Sequence, residues 1–92
     1  MSLQRKIYHL KEVIEEFHIS EDVVLYFIQQ EWISPESPED LSFDDEDMAR
    51  IKLIHELKNQ FGVNDEAVPV ILHLVDHLNY LHLNLEDLIK KT

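Results

Sequence analysis

A chain of 92 residues can form one domain with a modest core, and association with a second chain would add to the burial. The absence of cysteine excludes a disulfide framework, a thiolate nucleophile and a cysteine-based zinc site. With one glycine and three prolines the chain is poor in turn residues, which predicts a mainly α-helical fold. No apolar run approaches the length that spans a membrane, so we expect a cytoplasmic protein.

The formal net charge of −11 is unevenly distributed. Residues 12–47 contain no lysine or arginine but hold most of the 19 acidic residues, while the rest of the chain carries all 8 basic residues. A segment of this kind is repelled by phosphates and attracted to a basic partner.

The first predicted elements are two short helices. A weak strand pattern over residues 4–9 is followed by apolar residues at the i, i+3, i+4, i+7 spacing of one helical face over residues 10–17. After a short turn, Ser20 and the two acids that follow it are typical of a capped helix start, which predicts a second helix to about Gln30. The two helices form a helix-turn-helix unit.

A wing is predicted after the second helix. Pro35 and Pro38 exclude a helix there, and apolar residues flank them at 32–33 and 41–43. This pattern indicates either a two-stranded hairpin between those two segments or an irregular wing.

The third helix is predicted to begin with Asp44 as its N-cap and acids in its first turn. Gly62, the single glycine, is predicted to close it in the left-handed conformation. Its buried face is predicted to comprise Met48, Ile51, Ile54, Leu57 and Phe61.

The last third of the chain predicts one long helix. Asn64 or Asp65 is its expected cap, and Pro69 moves the expected start of the regular helix to about Val68. Apolar residues recur at alternating steps of three and four, the pattern of a coiled-coil seam. Such a helix would be about 39 Å long, more than a compact domain of this size needs for its own core.

We therefore expect the first part of the long helix, Val68 to Val75, to cover the helix-turn-helix core, and its later part, Leu78 to Leu88, to pair two copies of the chain. The expected dimer interface consists of Val75, Leu78, Leu81, His82, Leu85 and Leu88. At its seam position His82 either sets the register and makes pairing sensitive to pH or is a boundary residue with its polar edge in water. The whole chain is read as one domain, with the helix-turn-helix, wing and third helix in residues 1–62 and the long helix in residues 63–92.

Four short segments connect this order of elements with a known family. They are the turn His18-Ile19-Ser20, the helix start Phe43-Asp44-Asp45, the triplet His55-Glu56-Leu57 and the run 70–78, which includes Asp76. On these segments the sequence resembles the MerR-like regulators and, among them, is most similar to the CbpM-type chaperone modulators.

The resemblance implies a MerR-like helix-turn-helix with a short wing, followed by a long C-terminal dimerisation helix. It also implies a homodimer that binds the J-domain of a DnaJ/CbpA-like co-chaperone and prevents it from stimulating a DnaK-type chaperone. On this interpretation the protein is an inhibitor and not an enzyme.

The J-domain is expected to meet an acidic surface with apolar anchors, because charges orient a partner while apolar anchors supply much of the affinity. The expected contact residues are Glu21, Asp22, Tyr26, Trp32, Glu39, Asp40, Asp44, Asp45 and Asp47. Two alternatives stay open: the acids at 44–47 also suit any helix N-terminus, and Trp32 also suits a core position under the wing.

The alternative function is that of a MerR-like DNA-binding transcription regulator. A DNA-reading helix needs Arg, Lys, Asn or Gln facing the bases and cations near the phosphates, whereas the second helix starts with two acids and contains no cation. DNA binding is therefore not expected. Neither a cofactor nor a metal is expected. His73 and His77 share a helical face with Asp76, but no third strong ligand for a metal beside the two histidines can be predicted. An enzyme is not expected either, because no nucleophile and base are brought together by their spacing in the sequence.

Overall fold

The computed structural model describes the backbone of residues 6–37 and 39–91 and the side chains as far as Leu81. Within these ranges the chain forms two short strands and four helices, and it divides after Gly62 into two compact units. In chain order the elements are β1 (Tyr8–His9), α1 (Leu10–Phe17), α2 (Glu21–Gln29), β2 (Ser42–Phe43), α3 (Asp45–Asn59) and α4 (Val68–Lys91). The prediction of a mainly α-helical fold with a helix-turn-helix is confirmed.

The helix-turn-helix consists of α1 and α2. His18 ends α1 in the left-handed conformation, with φ of 56°, and its N–H donates to the Ile14 carbonyl at 2.9 Å. The Ser20 hydroxyl oxygen accepts a hydrogen bond from the Val23 N–H at 3.3 Å, which confirms Ser20 as the N-cap of α2. The two helices contribute buried apolar side chains to the core of the first unit: Val13, Val24 and Phe27.

The wing is irregular, and the predicted hairpin between residues 32–33 and 41–43 is wrong. Strand β2 pairs antiparallel with β1, which lies far from it in the sequence, and Tyr8 stands opposite Phe43. The wing contributes only an isolated bridge between Ser37 and Ser42. Trp32 does not join a strand, because its N–H donates to the Phe27 carbonyl at 3.0 Å and so completes the end of α2.

Helix α3 begins as predicted, with a reciprocal pair of hydrogen bonds at its N-terminus. The Asp44 carboxylate accepts from the Asp47 N–H at 2.8 Å, and the Asp47 carboxylate accepts from the Asp44 N–H at 3.1 Å. This is a capping box built from two aspartates, and it supplies acceptors for two N–H groups that the helix itself leaves unpaired. The N-cap role of Asp44 is confirmed.

The C-terminal end of α3 differs from the prediction. Met48, Ile51 and Ile54 are buried and Leu57 is half-buried, but Phe61 is 70 % exposed, so its assignment to the buried face is wrong. The helix ends at Asn59, whose side-chain amide donates to the His55 carbonyl at 3.0 Å, and Phe61 therefore leaves the helical stripe. Gly62 does adopt φ of +62°, but Gln60 is the C-cap.

Helix α4 begins at Val68, as predicted from the position of Pro69. The Asn64 side-chain carbonyl accepts from the Ala67 N–H at 3.0 Å in the turn before the helix. Pro69 then lies in the first helical turn, where the N–H it lacks would have no partner within the helix. Val68 and Leu72 are buried. Over the residues that the structure describes, no helix combines the length and apolar character needed to cross a bilayer.

Candidate functional site

The outward side of α2 is the surface that a helix-turn-helix protein presents to a ligand. Five of its residues are exposed and lie on the side opposite the buried Val24 and Phe27: Glu21, Asp22, Leu25, Tyr26 and Gln29. We call these five residues the α2 face. It carries two carboxylates and no cation, so the acidic character predicted for this helix is displayed on the surface.

Within the α2 face, acids and apolar groups are stacked along the helix. Glu21 precedes Leu25 by four residues, and Asp22 precedes Tyr26 by four, a spacing that places side chains next to each other on a helix. Leu25 is 38 % exposed and Tyr26 is 36 % exposed. Each apolar group therefore has a carboxylate about one turn away on its N-terminal side.

Tyr26 packs on Trp32, which lies in the core. The two rings meet edge to face with 5.7 Å between their centroids, and the Phe27 ring lies at the same centroid distance from the indole, tilted by 46°. Trp32 is only 6 % exposed, and the Arg50 side chain donates to its carbonyl oxygen at 2.8 Å. The role of an exposed anchor for Trp32 is therefore wrong, and the core alternative is the one observed.

A basic residue of α3 also contacts Trp32. The Lys58 ammonium lies 5.9 Å from the centroid of the indole ring, within the range of a cation–π interaction. The indole is thus surrounded by two aromatic rings of α2 and a cation of α3, which holds the end of α2 against α3.

The acidic N-terminus of α3, residues 44–47, has a different environment from the α2 face. Asp44 and Asp47 hold the capping box, and the Tyr8 hydroxyl donates to the Asp45 carboxylate at 2.7 Å. Burial raises the pKa of Asp47 above its usual value of 3.8, and the hydrogen bond to Asp45 raises the pKa of Tyr8 above 10.0. Three of these four acids therefore make hydrogen bonds that hold the fold.

The remaining acids predicted to contact the partner lie in the wing. Glu39 and Asp40 are both exposed in the turn before β2. Leu25 and Gln29 were not predicted as site residues, although the helical period that points Val24 and Phe27 inward also points these two outward. The sequence signal was present in the periodicity of α2.

The surface of the first unit has open depressions, and these include two that are lined by several elements. One, of about 270 Å³, is lined by the turn between α1 and α2 and by the end of α3, including His18, Phe27 and His55. The other, of about 370 Å³, lies between β1, α1 and α3. Throughout the part of the chain that the structure describes, no group of three or more histidine and carboxylate side chains is arranged to hold a metal ion.

The second unit exposes an apolar stripe along α4, which we call the α4 stripe. Its members follow steps of four, four and three, and each is about half exposed or more: Val70, Leu74, Leu78 and Leu81. Among the residues predicted for the dimer interface, Leu78 and Leu81 belong to this stripe, while Val75 is half-buried. His82, Leu85 and Leu88 lie outside the described side chains. Val70 and Leu74 were missed because the predicted seam followed a neighbouring face.

The fold and the α2 face define a helix-turn-helix protein whose ligand-facing helix is acidic. The family described as MerR HTH family regulatory protein matches residues 8–90, and the chain belongs to this family. A comparison with the curated proteins gives no match. The MerR-like part of the resemblance is confirmed, and the assignment to the CbpM-type modulators stays a prediction.

Proposed function

We propose that the protein is a cytoplasmic, dimeric modulator of a DnaJ-like co-chaperone, which binds the J-domain and blocks stimulation of a DnaK-type chaperone. The observation that carries the proposal is the charge of the first half in a regulator of this family, since residues 12–47 hold most of the acidic residues and no lysine or arginine. The resemblance of four short segments of the chain to the CbpM-type modulators supports the choice of partner. The protein acts by binding and does not catalyse a reaction.

The charge of the first half supports a basic protein partner over a nucleic acid. Most of the affinity of a helix-turn-helix for DNA comes from cations that neutralise phosphates. Between residues 12 and 47 the chain has none, and the positions of α2 that would approach base edges are Glu21 and Asp22. The net charge of −11 would oppose the approach of a duplex as a whole.

The proposal is tested by mixing the protein with a purified J-domain co-chaperone from the same cell. We expect a complex that weakens as salt is raised, and a fall in the co-chaperone-stimulated ATPase rate of the DnaK-type protein. The absence of binding to every J-domain protein of that cell would refute the proposal. A complex that leaves the ATPase stimulation intact would show an oligomerisation or scaffolding module and not an inhibitor.

The second candidate function is a DNA-binding regulator, which membership of the MerR HTH family favours. It is separated from the first by a gel shift at low salt, where even non-specific DNA affinity is strongest. We expect no retention of DNA. A shifted band that disappears as salt is raised would favour the second function.

The dimer is proposed to form through the α4 stripe, because a row of exposed apolar side chains on a long helix suits pairing with a second helix. Changing Leu74 and Leu78 together to Glu should give a monomer in light scattering after size-exclusion chromatography. The matched control changes His73 and Asn79 to Glu, since both are exposed on the same helix outside the stripe. Equal loss of dimer in both double variants would refute the stripe as the interface.

A further inference from the structure

The α2 face is suited to one particular partner surface. We propose that it is the docking surface for a helix that carries cations beside an apolar stripe, with Leu25 and Tyr26 as the anchors. This inference rests on the proposed function, which names a J-domain and an acidic first half but no contact surface. According to this inference, the acidic N-terminus of α3 is not the principal contact with the J-domain.

The order of groups along α2 sets the chemistry of the partner. The two carboxylates lie at the N-terminal end of the helix, the two apolar side chains follow one turn later, and Gln29 comes at the C-terminal end. A partner helix lying along this face therefore needs apolar side chains over Leu25 and Tyr26, with lysine or arginine about one turn away over Glu21 and Asp22. A uniformly basic segment would leave the apolar pair uncovered.

Tyr26 is held in place before a partner arrives. Its ring packs edge to face on the buried indole of Trp32, at 88° between the ring planes, and Arg50 donates to the backbone carbonyl of Trp32. An aromatic group with a fixed position loses little conformational freedom on binding, which favours affinity. Leu25 lies beside it on the exposed side of the same helix, so the anchor pair stands on a rigid element.

The N-terminus of α3 is less suited to a partner, although it has more acids. The carboxylates of Asp44, Asp45 and Asp47 already accept hydrogen bonds from two backbone N–H groups and from the Tyr8 hydroxyl. A cation arriving there would compete with donors that hold β1 and the start of α3. The acids of α2 have the Ser20 hydroxyl as their helix cap, so their carboxylates are not needed for that purpose.

The test measures the affinity of a purified J-domain for single-site variants by titration calorimetry. Leu25→Ser should weaken binding about tenfold, the effect typical of truncating an interface anchor. The matched control is Ile7→Ser, because Ile7 is 39 % exposed and lies outside α2. We expect this control to bind within about twofold of the wild type, which corresponds to less than 1 kcal/mol.

The acids are tested with a second matched pair of double variants. Glu21→Gln with Asp22→Asn should weaken binding and flatten its dependence on salt. Glu15→Gln with Glu16→Gln makes the same change in net charge on exposed positions of α1 and serves as control. Thermal unfolding followed by circular dichroism checks that all variants remain folded.

The outcomes separate this inference from the proposed function. If the wild type binds the J-domain and the α2 variants bind equally well, the α2 face is not the docking surface and the proposed function stands. If the wild type binds no J-domain, the proposed function fails and this inference with it. Amide shifts of the labelled wild-type protein give an independent map: shifts in residues 21–30 on adding the J-domain support the inference, and shifts confined to residues 44–47 or to α4 overturn it.

Discussion

Glu31 follows the C-cap of α2 and adopts the left-handed backbone conformation, which costs glycine less than it costs other residues. Its φ is 63°, its N–H donates to the Ile28 carbonyl at 2.9 Å, and the next N–H, that of Trp32, donates to the Phe27 carbonyl at 3.0 Å. This pair of bonds is the Schellman motif, with Glu31 at the position where glycine is most common. Trp32 and Phe27 supply the apolar contact that accompanies the motif. We predict that Glu31→Gly stabilises the protein.

The magnitude follows from two opposing terms. A residue with a Cβ atom loses roughly 1–2 kcal/mol in the left-handed conformation. Glycine also makes the unfolded chain more flexible, which lowers the free energy of unfolding by about 0.5–1 kcal/mol. The free energy of unfolding should therefore rise by about 0.5–1 kcal/mol. For a chain of this size 1 kcal/mol shifts Tm by about 4–8 °C, so we expect a rise of about 2–8 °C.

The assay is thermal unfolding by circular dichroism at one fixed protein concentration, since association would change the apparent Tm. Glu31→Ala is the first control, because it removes the carboxylate and keeps the Cβ atom. Gln30→Gly is the second, because Gln30 has φ of −77°, where glycine destabilises by about 0.5–1 kcal/mol. A Glu31→Gly variant no more stable than Glu31→Ala would refute the reasoning.

Three further predictions concern the core and the capping box. Trp32→Ala should lower the free energy of unfolding by about 3–5 kcal/mol in urea denaturation, because it removes the indole between α2 and α3. Arg50→Met should lower it by about 1–2 kcal/mol in the same assay, since the Trp32 carbonyl loses its donor. Asp47→Asn keeps an oxygen to accept from the Asp44 N–H but removes a carboxyl whose pKa is raised by burial. Between pH 3.8 and that raised pKa the folded state binds more protons at Asp47 than the unfolded state, so acidification favours folding at this site. The Tm of the wild type should therefore rise relative to that of Asp47→Asn when the pH is lowered from 7 to 4.

Each of these predictions has an outcome that contradicts it. A Trp32→Ala variant as stable as the wild type would place the indole outside the core. An unchanged urea midpoint for Arg50→Met would show that water replaces the guanidinium as donor to the carbonyl. A Tm difference between the wild type and Asp47→Asn that stays constant from pH 7 to pH 4 would show that Asp47 titrates alike in both states.

Local chemistry predicted where α2, α3 and α4 begin. Ser20 and Asp44 mark the starts of α2 and α3 because a short side chain that accepts a backbone hydrogen bond acts within three residues of its own position. Pro69 fixed the start of α4 for a similar reason, since the penalty for a missing N–H depends only on position within the helix. These signals lie entirely within the segment that they organise.

The pairing of β1 with β2 could not be predicted in the same way. A strand of two residues is too short to show the alternation of apolar and polar residues that identifies strands. The choice between Trp32 and Tyr8 as the neighbour of Phe43 depends on contacts across the core. Phe61 was misplaced because the helical stripe was extended past the residue where the helix ends. At the site, the helical period of α2 predicts its outward face. The environment of Trp32 was harder to predict, because it includes contacts with Arg50 and Lys58, which lie far along the chain.

The acids of this protein differ in what their exposure allows them to do. Any carboxylate in the first half adds to the long-range field that attracts a basic partner, and a carboxylate within a capping box adds as much as an exposed one. Short-range selection is different, because it requires a carboxylate that can meet a cation while an apolar neighbour is covered by the partner. Asp44 and Asp47 are already committed to the start of α3, whereas Glu21 and Asp22 stand one turn from Leu25 and Tyr26. In the proposed complex, the field of the whole half would therefore set how fast the partner arrives, and the α2 face would set how long it stays.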